Sequence, residues 1–165
     1  MSTVTVYDLK ILLVEDSVSA RRVYQKLLEA YGYHVRVAEH GVEALALLRS
    51  EDFDVVVSDI GMPVMDGYEF ARQVRLNPAY NNKRLIALTA YSQPSLVQQA
   101  RLVGFDSYLI KPINISDLLD AIHARPVITD YFNSRPLESL TEIENRLEAG
   151  SEATSVIQSR SFIAS

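Results

Sequence analysis

The chain reads as an α/β domain, a sheet of parallel strands with helices on both faces. Short apolar runs of strand character alternate five times with stretches whose apolar residues recur every three or four positions. Several strand runs, such as Ile11-Leu12-Leu13-Val14 and Val55-Val56-Val57, are apolar without alternation, as strands covered on both faces must be. Strands alternating with helical stretches of this length imply βαβ units, whose right-handed crossovers bring every strand's carboxyl end to one edge.

The elements follow in order. Residues 10–14 form the first strand. Ser17 then caps a helix on which Ala20, Val23, Tyr24, Leu27, Leu28 and Tyr31 make one buried stripe, and Gly32 stops it. His34-Val35-Arg36-Val37-Ala38 alternates as a half-buried strand near a sheet edge. The second helix, residues 42–50, carries Ala44, Leu45, Leu47 and Leu48. The third strand, 54–59, ends on Asp59. A turn through Met62-Pro63-Val64-Met65-Asp66-Gly67 leads to a third helix near 68–76, and Asn77-Pro78 ends it, because the residue before a proline is pushed out of the helical region. The fourth strand is 84–88, the fourth helix about 94–103 with Gly104 closing it, the fifth strand 107–110 and the fifth helix about 116–124.

Ligands of open α/β sheets bind beyond the carboxyl ends of the strands. Here those ends carry Glu15-Asp16, Asp59, Thr89-Ala90 and Lys111-Pro112. Acidic pair, central Asp, Thr and Lys make a phosphate and divalent-cation site. Like charges 4 Å apart repel by roughly 4 kcal/mol per pair at an effective dielectric of about 20, a strain that a bound cation removes. Hard oxygen ligands with no nearby His or Cys favour Mg²⁺ or Mn²⁺ over zinc. His34, His40 and His123 lack ligand spacing and are expected on the surface.

Composition narrows the function further. The chain has 165 residues, 48% of them hydrophobic, and a formal net charge of −5, with no cysteine. That length suits one compact domain. The acidic balance argues against nucleic acid, and the lack of cysteine fits a reducing cytoplasm. The start, Met1 to Leu9, has no signal-peptide pattern, and no apolar stretch approaches the ~18 residues of a membrane span. A cytoplasmic protein is expected. Residues 8–125 form the domain. Residues 126–165 form a short tail with three Arg against six Asp and Glu, unsuited to DNA. Within it Leu137, Leu140, Ile143 and Leu147 predict an amphipathic helix at 137–148, and the remainder is expected to be disordered.

Glu15-Asp16, the stretch from Asp59 to Gly67, Thr89-Ala90 and Lys111-Pro112 together resemble the receiver domain of two-component response regulators. The resemblance covers roughly residues 8–125. It implies a flavodoxin-like (βα)5 three-layer sandwich, with a five-stranded parallel sheet in order 2-1-3-4-5. It also implies phosphoryl transfer from a histidine kinase or histidine phosphotransfer protein to Asp59, the nucleophile. By the same resemblance Asp16, Asp59 and the backbone carbonyl of Gly61 coordinate Mg²⁺, with Glu15 acting through water. Lys111 and Thr89 serve the phosphoryl group, and Thr89 with Tyr108 forms the switch. Output is expected as phosphorylation-dependent contact with a protein partner through the face of helix four, strand five and helix five. Ser92, Gln98, Gln99, Asp117 and Asp120 are the candidate contacts there, and the protein is expected to be a monomer or a phosphorylation-dependent dimer.

Three alternatives compete with a stand-alone regulator. A detached receiver of a hybrid sensor kinase, or a phosphorelay intermediate, would carry the same residues. A phosphatase or dehalogenase-like enzyme would need a second Asp two residues after the nucleophile, where this chain has Gly61. Without that acid or base the aspartyl phosphate should hydrolyse slowly, which suits a signal and not a turnover enzyme. A pseudo-receiver, working without phosphorylation, is disfavoured by the intact Glu15, Asp16, Asp59 and Lys111.

Overall fold

The structure is a computed structural model and describes residues 8–124. The tail, with its expected helix at 137–148, lies outside the described residues. The elements are β1 (Lys10–Val14), α1 (Val18–Ala30), β2 (His34–Ala38), α2 (Gly41–Ser50), β3 (Val55–Asp59), α3 (Gly67–Leu76), a 3-10 turn (Pro78–Tyr80), β4 (Arg84–Thr89), α4 (Pro94–Val103), β5 (Ser107–Ile110) and α5 (Ile115–His123). All strand pairs are parallel, and the order is β2-β1-β3-β4-β5.

Alternation within the central strands builds two cores. Leu12, Val14, Val56, Leu85 and Ala87 pack with Phe53, Phe70, Val74, Ala100 and Phe105 on the side of α2, α3 and α4. Ile11, Leu13, Val55, Val57, Ile86 and Leu88 pack with Leu28, Leu118 and Ile122 on the side of α1 and α5. The central strands thus bury side chains on both faces, which is why their sequence does not alternate. At the edge, β2 alternates between exposed and covered residues as its sequence suggests.

Caps set the helix ends that matter for the site. Ser17 accepts the Ala20 N–H at the start of α1, and Asp66 accepts the Glu69 N–H at the start of α3. Gly104 ends α4 in the left-handed region at φ 107°. Beside it, Arg75 donates to the carbonyls of Gly104, Tyr80 and Lys83 and to the Asp106 carboxylate, stapling the loops at the far end of the sheet.

The expected α1 stripe needs correction. Leu28 is buried, and Ala20, Tyr24 and Leu27 are half-buried, but Val23 and Tyr31 are exposed. The first turns of α1 lie over the loops that follow β1 and β2, and the other buried side chain of the helix is Arg21.

Candidate functional site

Register decides what meets at the carboxyl edge of the sheet. Val14 pairs with Ser58, so Glu15 leaves the sheet beside Asp59. Asp59 pairs with Leu88, and Thr89 pairs with Ile110. The Lys111 N–H then closes on the Thr89 carbonyl at 2.7 Å.

Glu15, Asp16 and Asp59 each bring a carboxylate oxygen within 4.8 Å of the others. Glu15 and Asp59 are buried and Asp16 is exposed. The Lys111 ammonium donates to Glu15 Oε2 at 2.8 Å and lies 3.5 Å from Asp59 Oδ2. Glu15 Oε1 takes the Ser17 N–H at 3.2 Å, so both oxygens of this carboxylate already have donors. Asp59 Oδ1 takes the Gly61 N–H at 3.3 Å. One ammonium facing three carboxylates leaves a negative edge, and Asp16 and Asp59 are its more open members. Such an all-oxygen set fits a hard divalent cation.

Electrostatics follow from this crowding. Burial pushes the Glu15 carboxyl above its ordinary pKa, and the Asp59 charge adds to the rise against the opposing Lys111 hydrogen bond. For Lys111, burial disfavours the ammonium, but the Glu15 hydrogen bond and the charges of Asp59 and Glu15 together outweigh it and hold the pKa up. The folded state therefore holds a proton on Glu15 more readily than the unfolded chain does. Ionised Glu15 costs stability, and the cost is relieved as pH falls through its raised folded value. The stability difference between Glu15→Gln and wild type should accordingly move in favour of wild type as pH drops from about 7 toward about 4. Denaturant titration at each pH reads this, and a pH-independent difference would contradict it.

Thr89 and Tyr108 are linked through the loop after β4. Thr89 Oγ1 accepts the Tyr91 N–H at 3.1 Å, and the Tyr91 carbonyl accepts the Tyr108 hydroxyl at 2.8 Å. Tyr91 itself is 52% exposed. The turn after Asp59 is equally fixed. The Gly67 N–H donates to the Ile60 carbonyl at 2.9 Å, and a Cβ at residue 67 would stand 2.6 Å from the Asp59 carbonyl oxygen. Met62 is buried and Met65 lies against Gly41, so both are packing residues.

The histidines stay away from this cluster. His34 is exposed, the half-buried His40 caps α2 by accepting the Glu43 N–H, and the exposed His123 pairs with the buried Tyr33 hydroxyl. Sequence reasoning missed Arg21, whose guanidinium lies under the Glu15-Asp16 segment. The signal available was its place one turn after Ser17, within reach of the loop's carbonyls.

A family model for the response regulator receiver domain matches residues 11–123. The chain is 39% identical over 115 residues to an uncharacterized 14.6 kDa protein in the sodA1 3' region of Leptolyngbya boryana, covering 70% of this chain and 88% of that one. It is 38% identical over 120 residues to hybrid signal transduction histidine kinase A of Dictyostelium discoideum, covering 70% of this chain and only 6% of that protein. Among solved structures, the chemotaxis response regulator CheY4 of Vibrio cholerae aligns with TM-score 0.66 at 38% identity, covering 70% of this chain and 97% of that one. The receiver domain of sensor histidine kinase PA1611 from Pseudomonas aeruginosa, which has a magnesium ion coordinated in its active site cleft, aligns with TM-score 0.66 at 28% identity, covering 71% and 96%. The receiver domain of Ssk1 from Saccharomyces cerevisiae, crystallised with the histidine phosphotransfer protein Ypd1, belongs to an alignment of TM-score 0.66 at 26% identity, covering 70% and 86%.

Proposed function

Because the chain belongs to the response regulator receiver family of two-component signalling, we propose that it accepts a phosphoryl group on Asp59 in an Mg²⁺-dependent reaction and signals by changing protein contacts. The proposed receiver spans residues 8–125, and the donor is a phosphohistidine on a histidine kinase or histidine phosphotransfer protein. The observation that carries this reading is the Lys111 ammonium, held between Glu15 and Asp59 beside the Asp16 carboxylate.

An Asp59 oxygen attacks phosphorus as the phosphorus–nitrogen bond breaks, giving an acyl phosphate. The leaving imidazole takes up a proton. Lys111, already within 3.5 Å of Asp59, offsets charge on the transferred oxygens. The Thr89 hydroxyl, whose oxygen accepts the Tyr91 N–H before transfer, can turn to donate its own proton in a hydrogen bond to the phosphoryl group. Mg²⁺ held by Asp16, Asp59 and the Gly61 carbonyl, with Glu15 acting through water, would add positive charge at the same oxygens. Mn²⁺ suits the same donors. Engagement of both Glu15 oxygens by Lys111 and Ser17 supports the indirect role for this residue. The PA1611 receiver, with its magnesium ion, supports the choice of metal, and the Ypd1 complex supports the class of donor.

Asp16→Ala tests the cation reading. The variant should keep its fold and lose both Mg²⁺ binding and Mg²⁺-dependent phosphorylation. Phosphorylation proceeding unimpaired in excess chelator would sink this part of the reading.

A second reading, a receiver that works as part of a hybrid kinase or as a phosphorelay intermediate, draws on the similarity to hybrid kinase A. It uses the same chemistry and differs in the neighbouring domains. The absence among the described residues of any helix long and apolar enough to cross a membrane bears on neither reading.

Output rests on the Thr89–Tyr91–Tyr108 chain. If the Thr89 hydroxyl turns to the phosphoryl group, it releases the Tyr91 N–H, and the Tyr91 carbonyl that holds the Tyr108 hydroxyl moves with it. The face of α4, β5 and α5 then changes shape, with Ser92, Gln98, Asp117 and Asp120 exposed on it and Gln99 half-buried. A coupling of about 1–3 kcal/mol would shift partner affinity several-fold to about a hundredfold. Beryllofluoride, a phosphoryl mimic, should therefore move the NMR signals of Tyr108 and α4. Shifts confined to residues touching Asp59 would contradict the switch.

A further inference from the structure

Arg21 is a cation buried in α1, where a guanidinium needs matched polar partners. It is 8% exposed, in a helix whose other buried residue is Leu28. Burying a guanidinium is costly unless its donors are matched. Here one nitrogen, Nη1, donates to the Glu15 carbonyl at 2.8 Å and reaches the Asp16 carbonyl at 3.4 Å. The other, Nη2, donates to Glu39 Oε1 at 2.8 Å. Glu39 is anchored in turn, its N–H donating to Glu43 Oε2 at 2.7 Å, and the Glu15 N–H donates to the Ala38 carbonyl at 3.1 Å. One side chain thus ties the loop after β1 to the loop after β2.

We propose that Arg21 is a positioning residue for the divalent cation. By holding the carbonyls of both acidic residues, it fixes the two peptide planes from which the Glu15 and Asp16 carboxylates project toward Asp59. This inference rests on the reading that Asp16 and Asp59 hold Mg²⁺. A carboxylate that must find its direction anew for each binding event holds a cation less tightly than one already aimed. Groups that orient metal ligands characteristically affect affinity without touching the ion.

Charge and position act here with opposite signs, which makes the idea testable. A positive charge near a cation site repels the cation, so its removal should tighten Mg²⁺ if charge dominated. The Glu39 carboxylate at 2.8 Å offsets that charge, leaving orientation as the larger effect. Arg21→Met should therefore weaken Mg²⁺ by on the order of tenfold, the lower end of what loss of an orienting group costs. Arg21→Lys, able to reach a carbonyl but not to span both loops, should fall between. Glu39→Gln, which leaves the two carbonyl contacts in place, should change affinity less than Arg21→Met.

The full chain is titrated with MgCl₂ and followed by amide NMR shifts, with phosphorylation by acetyl phosphate measured across the same Mg²⁺ range. The half-saturating Mg²⁺ concentration should move more than the maximal rate. In metal-free protein, the Ser17 N–H that bonds Glu15 should exchange faster in Arg21→Met, a readout of loop order that needs no metal. If Arg21→Met binds Mg²⁺ as tightly as wild type or tighter, or if Arg21→Lys is no better than Arg21→Met, the proposal is overturned. Should Arg21→Met not fold, Arg21→Lys carries the test, and wild-type affinity in it overturns the proposal. Wild-type protein that binds no Mg²⁺ would instead strike the cation reading, while the exchange measurement still decides whether Arg21 orders the loop.

Discussion

Asp59→Ala is expected to take up no phosphoryl group from any donor while remaining folded. A methyl group cannot attack phosphorus, and neither of the two carboxylates beside Asp59 takes its place. Asp16 is exposed, and both oxygens of Glu15 are engaged. The effect on stability should be small. The substitution removes a 3.5 Å approach to Lys111 and a 3.3 Å bond from Gly61, but it also removes repulsion from Glu15 and Asp16. We expect the variant within about 1 kcal/mol of wild type, on either side, by denaturant titration. A loss of several kcal/mol would make Asp59 a structural residue first. Retained phosphorylation would move the nucleophile elsewhere, with Asp16 the next candidate.

Gly67→Ala should produce the largest structural effect of a single methyl group near the site. The added Cβ would lie 2.6 Å from the Asp59 carbonyl oxygen and 2.7 Å from Ile60 Cα. Both are backbone atoms, so no side-chain rotation can relieve the overlap. Either α3 backs away, breaking the Gly67 to Ile60 hydrogen bond, or the turn after Asp59 shifts and takes the carboxylate with it. We expect a loss of about 3 kcal/mol, the upper end of ordinary overpacking, together with weaker Mg²⁺ binding. Wild-type stability in this variant would show that α3 can part from the Asp59 turn without cost. Gly41 provides a comparison. A Cβ there would meet the Met65 sulfur at 2.7 Å and its Cγ at 2.9 Å, atoms of a flexible side chain and not backbone, so Gly41→Ala should be milder.

The architecture was legible because the central strands are short apolar runs bounded by turn signals and separated by helical stretches. Ile11 to Val14, Val55 to Val57 and Leu85 to Leu88 are apolar at every position, and the two cores take them alternately. The punctuation was equally readable, with Ser17 and Gly104 standing where a cap and a stop are needed. Strand order was not readable from periodicity; it came from the resemblance to receivers, and the sheet has that order.

Legibility failed where a residue's neighbours come from distant segments. Val23 and Tyr31 have the right spacing for a buried stripe, yet both are exposed to solvent. Arg21 went unnoticed because its partners, the Glu15 and Asp16 carbonyls and Glu39, lie on two other loops. Residue types at strand ends announce which groups converge. They do not say how those groups pair, and the 2.8 Å contact of Lys111 with Glu15, closer than its approach to Asp59, is such a detail.

The central claim is that Asp59 accepts the phosphoryl group with help from a divalent cation. Intact mass and peptide mapping of the full chain after incubation with acetyl phosphate test it most directly, with Mg²⁺ in one sample and excess chelator in the other. The expected result is a single phosphoryl adduct, formed with Mg²⁺, absent with chelator, and mapped to the peptide that carries Asp59. No adduct with Mg²⁺ from either acetyl phosphate or a phosphorylated histidine donor, or an adduct mapped to another residue, would contradict it.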